Sequence, residues 1–240
     1  SHLVTWMKEQ VAMAAVSMPK DEWLSFEPDA LARKILLDAD EYSERARVRG
    51  GLLHDAMEQY AVDGSLPENP ETLNLMGPAL DWWDSNVEKV YYTEETFVGD
   101  GYAGRVDLVA LLKNGKIYIV DFKTRKRGNP TTKAEKAIGC GKFGKYIEDV
   151  YQLAAYRGAV NAEGIGVGGC ANLLIDSSNP TPVEFREYGW KELDRMYCAW
   201  CFKVADWSLS KDYRPDVPEE SVGLVSELIG MAYDRYDLVA

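Results

Sequence analysis

The chain is poor in the residues that most often announce a chemistry. Among 240 residues there are two histidines and four cysteines. Ser1-His2 has the form of a remnant left by a cleaved tag, which leaves His54 as the one histidine free for ligation or proton transfer. Cys140, Cys170, Cys198 and Cys201 are too few to staple a chain of this length. They read as reduced thiols of a cytoplasmic protein, with Cys198 and Cys201 one turn apart on a helical stretch. No apolar run reaches eighteen residues, so no membrane-spanning helix and no membrane partner are expected. The first residues lack the basic flank and cleavage pattern of a secretory signal. There is no internal repeat and no low-complexity tract. Positive charge is scarce as well: the net charge is −12, which speaks against phosphate binding unless the cations are concentrated.

They are concentrated. Residues 113–145 hold ten Lys/Arg against two acids, so that this segment is +8 and the remainder −20. Such a segment is the footprint of a polyanion groove; the other reading is a solvated, flexible loop. Just before and within it lie two strand-length apolar runs, Val106–Leu112 and Ile117–Phe122, joined by Lys-Asn-Gly-Lys. Runs apolar on both faces are the mark of doubly covered strands. Yet each carries a carboxylate, Asp107 and Asp121, and Lys123 follows the second. Burying a carboxylate is costly unless a cation meets it.

Alternate residues of a strand share a face, so Asp121 and Lys123 point the same way, roughly 6.6 Å apart. A two-residue Asn114-Gly115 turn would set Leu108 opposite Asp121 and send Asp107 to the other side. A three-residue loop, Lys113 to Gly115 with Gly115 left-handed, sets Leu112 opposite Lys116 and Asp107 opposite Asp121. Asn-Gly permits both, and the second is expected because it joins the carboxylates. Two adjacent carboxylates raise each other's pKa, and a divalent cation between them removes that penalty. Oxygen ligands suit one or two Mg²⁺ or Mn²⁺ ions, with the Phe122 carbonyl as a further donor and Lys123 beside the metal. The simpler alternative is a buried Asp–Lys ion pair.

Helices are predicted over residues 3–18, 29–38, 40–61 and 71–87, with a Pro-punctuated loop at 19–28. His54 and Glu58 share a helical face, and Arg45, Arg47 and Arg49 are either phosphate contacts or a charged surface shared with Glu41 and Glu44. Tyr91–Val98 reads as the first strand, with Glu94 or Glu95, the latter preferred, near the site. Residues 124–145 read as a mobile lid. A helix over 146–160 places Gln152 and Tyr156 on one face; Gln152 positions water or phosphate, and Tyr156 buttresses the site, stacks on a base, or is core. Strands at 168–175 and 183–188, a helix from Trp190 to Leu209, a linker over 213–218 and a helix over 221–238 complete the chain. The expectation is one α/β domain over 1–240: a helical part (1–88), a core (89–189) with a mixed sheet of about five strands flanked by helices, and C-terminal helices (190–240).

Gly104-Arg105-Val106-Asp107, Asp121-Phe122-Lys123-Thr124 and Gln152-Leu153-Ala154-Ala155-Tyr156, in that order, resemble the motifs of the PD-(D/E)XK nuclease superfamily in its RecB-like branch. The resemblance spans about residues 45 to 175. It implies a restriction-endonuclease-like core and a Mg²⁺- or Mn²⁺-dependent DNA exonuclease of phage, plasmid or organellar type that prefers single-stranded ends. It implies Asp107, Asp121, Lys123 and Gln152 as catalytic, and His54, Asp107, Asp121 and the Phe122 carbonyl as metal ligands. DNA would be held by Arg105, Thr124, Arg125, Lys126, Arg127 and Tyr156, with Tyr102, Phe143 and Tyr146 as stacking surfaces and Glu58 and Glu95 behind the ligands. Some members hold an iron–sulfur centre through one upstream and several downstream cysteines; here none precedes Cys140, and no such cluster is expected. The rival readings are a structure-selective endonuclease and a non-catalytic binding module. No dimer surface is marked.

Overall fold

In the computed structural model, residues 2–213, 215 and 223–237 are described. The chain divides into two compact units, residues 1–53 and 54–240. The first contains α1 (His2–Ser17), α2 (Lys20–Ser25) and the larger part of α3 (Pro28–Asp63). The sequence suggested two helices over 29–61 and a loop at 19–28. Instead α3 is continuous over 36 residues. Its seam, Asp38-Ala39-Asp40, contains no breaker, and i,i+4 contacts carry the helix across it: Lys34 pairs with Asp38, and Ser43 Oγ donates to the Ala39 carbonyl (2.8 Å). Arg47 pairs with Glu44 (2.5 Å) and Arg45 with Glu41 (3.4 Å), as a charged helix surface would.

The second unit is built on a mixed five-stranded sheet of order β1-β2-β3-β4-β5: β1 (Val87–Gly99), β2 (Tyr102–Leu112), β3 (Ile117–Arg125), β4 (Gly169–Asp176) and β5 (Glu184–Glu187). All neighbours are antiparallel except β3 and β4. That parallel step demands a crossover, which holds α5 (Lys133–Ile138) and α6 (Ile147–Ala162). Flanking elements are α4 (Pro70–Asn86), α7 (Trp190–Ser210) and α8 (Leu224–Asp237). The α/β class with helical N-terminal region is as the sequence indicated. Most of the proposed linker, residues 214 and 216–218, lies outside the described residues, as do residues 221, 222 and 238 of the last proposed helix.

The β2–β3 pairs run Leu108↔Val120 to Leu111↔Ile117, which places Asp107 opposite Asp121. The loop is the three-residue one: Leu112 N–H donates to the Lys116 carbonyl (2.9 Å), Gly115 N–H to the Leu112 carbonyl (2.8 Å), and Gly115 has φ +79°. One face of the sheet packs Val109, Ile119 and Cys170 against Leu153 and Ala154 of α6. On the other, Tyr118 and Phe185 form an aromatic stack with Trp82 of α4. No helix among the described residues is long and apolar enough to cross a membrane.

Residues 126–145 differ from the expected mobile lid. Within them α5 has a capping box, with Glu135 N–H donating to Thr132 Oγ1 (3.2 Å) and the Glu135 carboxylate accepting from Thr132 N–H (3.0 Å). Gly128 N–H donates to the Lys142 carbonyl (3.0 Å), and Gly141 N–H to that of Gly128 (3.1 Å). A Cβ at Gly141 would lie 2.5 Å from the Gly128 oxygen, so only glycine lets the two segments meet. Long-range anchors replace the missing periodicity. Arg127 donates to Thr181 Oγ1 and to the Gly141 and Pro182 carbonyls and lies 4.0 Å over the buried Phe143 ring. Arg186 reaches the Gly144 and Phe143 carbonyls.

Candidate metal centre

The antiparallel registers bring Glu94 (β1), Asp107 (β2) and Asp121 (β3) into one row across the sheet, and the parallel pair adds Asn172 (β4) opposite Asp121. Glu94 falls opposite Asp107 between the pairs Thr93↔Leu108 and Glu95↔Val106. Asp107 and Asp121 are 6% and 1% exposed, so the row is sunk in the fold. Asp107 Oδ2 accepts the Phe122 N–H (2.7 Å), which continues the strand pairing through a side chain. Phe122 also brings its carbonyl, which accepts a hydrogen bond from the His54 ring. Its ring is buried and meets the His54 ring edge-on, centroids 6.0 Å apart.

His54, on the last turns of α3, holds Nδ1 3.5 Å from Asp107 Oδ2 and 4.0 Å from Glu94 Oε1. Ligand atoms of His54, Glu94 and Asp107 lie within 4.8 Å of one another. Glu94 rather than the preferred Glu95 takes this place; Glu95 is exposed. A register shift between Val90 and Tyr92 changes which residues of β1 face the site, and Glu94 sits at φ +50°, a left-handed conformation uncommon for a non-glycine. Arg105 Nε binds both the Glu94 carboxylate (2.8 Å) and its carbonyl (3.0 Å), and the guanidinium lies 3.6 Å from Glu58. Arg105, expected on DNA, is thus tied to two carboxylates.

Lys123 Nζ lies 2.8 Å from Asp121 Oδ1 and 2.7 Å from Oδ2, and donates to Gln152 Oε1 (3.0 Å). Gln152 Nε2 donates in turn to the Tyr156 hydroxyl (2.6 Å). Asn172 Nδ2 donates to Asp121 Oδ2 (2.6 Å), and the Tyr188 hydroxyl to Asn172 Oδ1 (2.8 Å). Asp121 therefore spends its oxygens on Lys123 and Asn172 and stands beside the His54–Glu94–Asp107 set. The Tyr156 ring fills the space a side chain at Gly104 would need: a Cβ there would lie 2.7 Å from it. The glycine of the first motif and the tyrosine of the third thus fit one another. Asn172 was missed, although it is the one polar side chain in the apolar run 169–175 and such a residue demands a partner.

Of the other residues expected on nucleic acid, Arg125 is engaged twice. It forms a two-pronged ion pair with Asp149 (2.7 and 2.5 Å) and lies 4.2 Å over the Tyr146 ring. Arg127 is spent on the loop. Lys126 is exposed, and Thr124 Oγ1 is buried with no hydrogen-bond partner. Among the proposed stacking surfaces, Phe143 is buried and the Tyr102 hydroxyl donates to the Ala155 carbonyl (2.9 Å). Cys198 is exposed and Cys201 buried; no metal-binding group among the described residues includes either.

The electrostatics follow from charge crowding under poor solvation. Burial, then the Asp121 charge, push Asp107 up to about 8. Burial also raises Asp121, against the pull of Lys123, and raises Glu94, against Arg105. Burial and then Lys123 lower His54, which keeps its imidazole neutral and able to ligate. Four carboxylates (Glu58, Glu94, Asp107 and Asp121) face two cations, Lys123 and Arg105. One neutral imidazole and two carboxylate oxygens within reach of one another form a donor set suited to a divalent cation. No family model matches the chain, and no curated protein matches it.

Proposed function

We propose that the chain is a Mg²⁺- or Mn²⁺-dependent deoxyribonuclease that hydrolyses phosphodiester bonds, acting from single-stranded ends. One observation carries the reading: residues from five elements, His54, Glu94, Asp107, Lys123 and Gln152, converge on a buried site with more carboxylates than cations. His54, Glu94 and Asp107 would hold the cation, with Asp121 adjoining. When bound, such an ion polarises a phosphoryl oxygen and lowers the pKa of a ligated water.

The remaining work belongs to the chain itself. Lys123 is fixed between Asp121 and Gln152, so its ammonium is aimed where negative charge develops on a phosphate. Gln152 is locked by Tyr156, which orients its carbonyl to Lys123. Arg105, itself paired with Glu58, binds the carboxylate and the carbonyl of Glu94 and so supports its unusual backbone conformation. Because the carboxylate row is recessed, a single strand reaches it more readily than a duplex.

The test is cleavage of end-labelled linear and closed circular single-stranded DNA with Mg²⁺, Mn²⁺ or EDTA. Metal-dependent loss of the linear form with a resistant circle is expected. Equal attack on the circle would replace the exonuclease by an endonuclease, and no metal-dependent cleavage of either would reject the reading.

A further inference from the structure

Residues 126–145 carry five lysines and one arginine against one glutamate, a net +5 in a chain of −12. Arg125 just before it and Arg127 within it are consumed internally, the first by Asp149 and the second by Thr181, Gly141 and Pro182. The lysines are not. Lys126, Lys133, Lys136, Lys142 and Lys145 are all exposed; none of their ammonium groups makes a salt bridge or hydrogen bond among the described residues, and only Lys142 lies near enough to Glu135 to act on its charge. The single acid is turned inward: Glu135 accepts from Thr131 and Thr132, whose hydrogen bonds hold it down to about 2.

The backbone under these lysines is pinned at the Gly128–Lys142 pairing, at Arg127 and at Arg186. Lys133 and Lys136 share a face of the capped α5. Fixed charges on an ordered backbone bind a polyanion without the loss of loop freedom that a flexible basic tail suffers. The segment also starts beside the site, since Lys126 is three residues from Lys123, about 10 Å of extended chain. We infer that these five lysines form a track for the sugar–phosphate backbone of a single nucleic-acid strand leading to the carboxylate site. Arg125 and Arg127 hold the track and do not touch the strand. The inference rests on the deoxyribonuclease reading for its destination, but binding tests it separately.

The experiment compares two variants of equal charge change. One carries K126Q, K133Q, K136Q, K142Q and K145Q; the control carries K113Q, K116Q, K191Q, K203Q and K211Q, all at exposed lysines. Binding of a labelled oligothymidylate is followed by anisotropy in EDTA from about 50 to 200 mM salt, where log–log slopes report phosphate contacts. The track variant should flatten the slope by up to about 3.5, at about 0.7 per contact on a single strand, and the control by less than about 1. The pair K133Q and K136Q alone should flatten it by about 1.4 and serves if the fivefold variant does not fold. Equal flattening in track variant and control overturns the track, as does none in the track variant. Lysine-dependent binding to phosphatidylserine vesicles without oligonucleotide binding would make it a lipid surface and also overturn it. Hydrolysis of bis(p-nitrophenyl) phosphate with Mn²⁺ separates the two readings. The track variant should keep the wild-type rate; a lost rate would put the lysines in the site and contradict the inference. A wild type inactive on this diester and on DNA, yet binding the strand through the lysines, would reject the nuclease and leave the track.

Discussion

Strand β3 presents two buried ion pairs on one face, two residues apart, and they are built differently. Arg125 meets Asp149 with two hydrogen bonds, one cation to one carboxylate, and the Tyr146 ring closes over it. Lys123 meets Asp121 equally closely, but Asp107 lies opposite and Glu94 beyond. The first pair is balanced and can do no more than hold the crossover to the sheet. The second sets more carboxylates than cations in a poorly solvated place, where burial first and then the Asp121 charge push Asp107 up to about 8. Burial alone therefore does not mark a functional ion pair; imbalance does.

Breaking each pair should have opposite consequences. Lys123→Ala and Asp121→Ala are expected to cut cleavage by at least about a hundredfold, the order of loss on removing a group aimed at transition-state charge. Arg125→Ala strands a buried Asp149 and should destabilise by about 3–5 kcal/mol, while folded molecules retain their rate. Thermal melts beside single-turnover cleavage would show the pattern, and its reversal would end the comparison.

Gly104→Ala sharpens the contrast from a distance, since the new methyl must displace the Tyr156 ring and with it Gln152 and Lys123. A shift of about 1 Å there should lower the rate by up to about a hundredfold with little change in DNA affinity. His54→Ala should raise the half-saturating Mn²⁺ concentration by about tenfold or more, given that even an outer partner of a ligand is worth that much. An unchanged half-saturation would make His54 a packing residue.

A last contrast is in stability against pH without metal. Asp107 has its folded pKa raised above the unfolded value of about 3.9, so the folded state holds the proton more tightly. Its contribution is full below about pH 4 and is lost as pH rises through about 8. The melting temperature of metal-free protein should therefore fall between those limits more steeply in wild type than in Asp107→Asn. Parallel curves would mean that Asp107 is not under strain.

Much of this was legible along the chain. The alternation around Asp107, Asp121 and Lys123 sets the register once Asn-Gly belongs to a three-residue loop. The Gln152–Tyr156 spacing is one helical turn, hence their hydrogen bond. What escaped was non-local. The shift near Tyr92 that brings in Glu94 leaves no mark in an alternating strand. Arg125 and Arg127 looked like phosphate contacts because their partners, Asp149 and Thr181, lie 24 and 54 residues away. The segment 126–145 lacks periodicity yet is ordered, since its order comes from capping and glycine-mediated backbone contacts.

The central claim is that the unbalanced site takes a divalent cation in place of a proton. Calorimetric titration of Mn²⁺ into metal-free protein near pH 7, in two buffers of different ionisation enthalpy, tests it directly. Because burial pushes Asp107 up to about 8 and ligation requires the carboxylate, binding should release close to one proton per ion and should vanish in Asp107→Asn. No Mn²⁺ binding by the wild type, or binding of equal strength and without proton release in both proteins, would contradict the account.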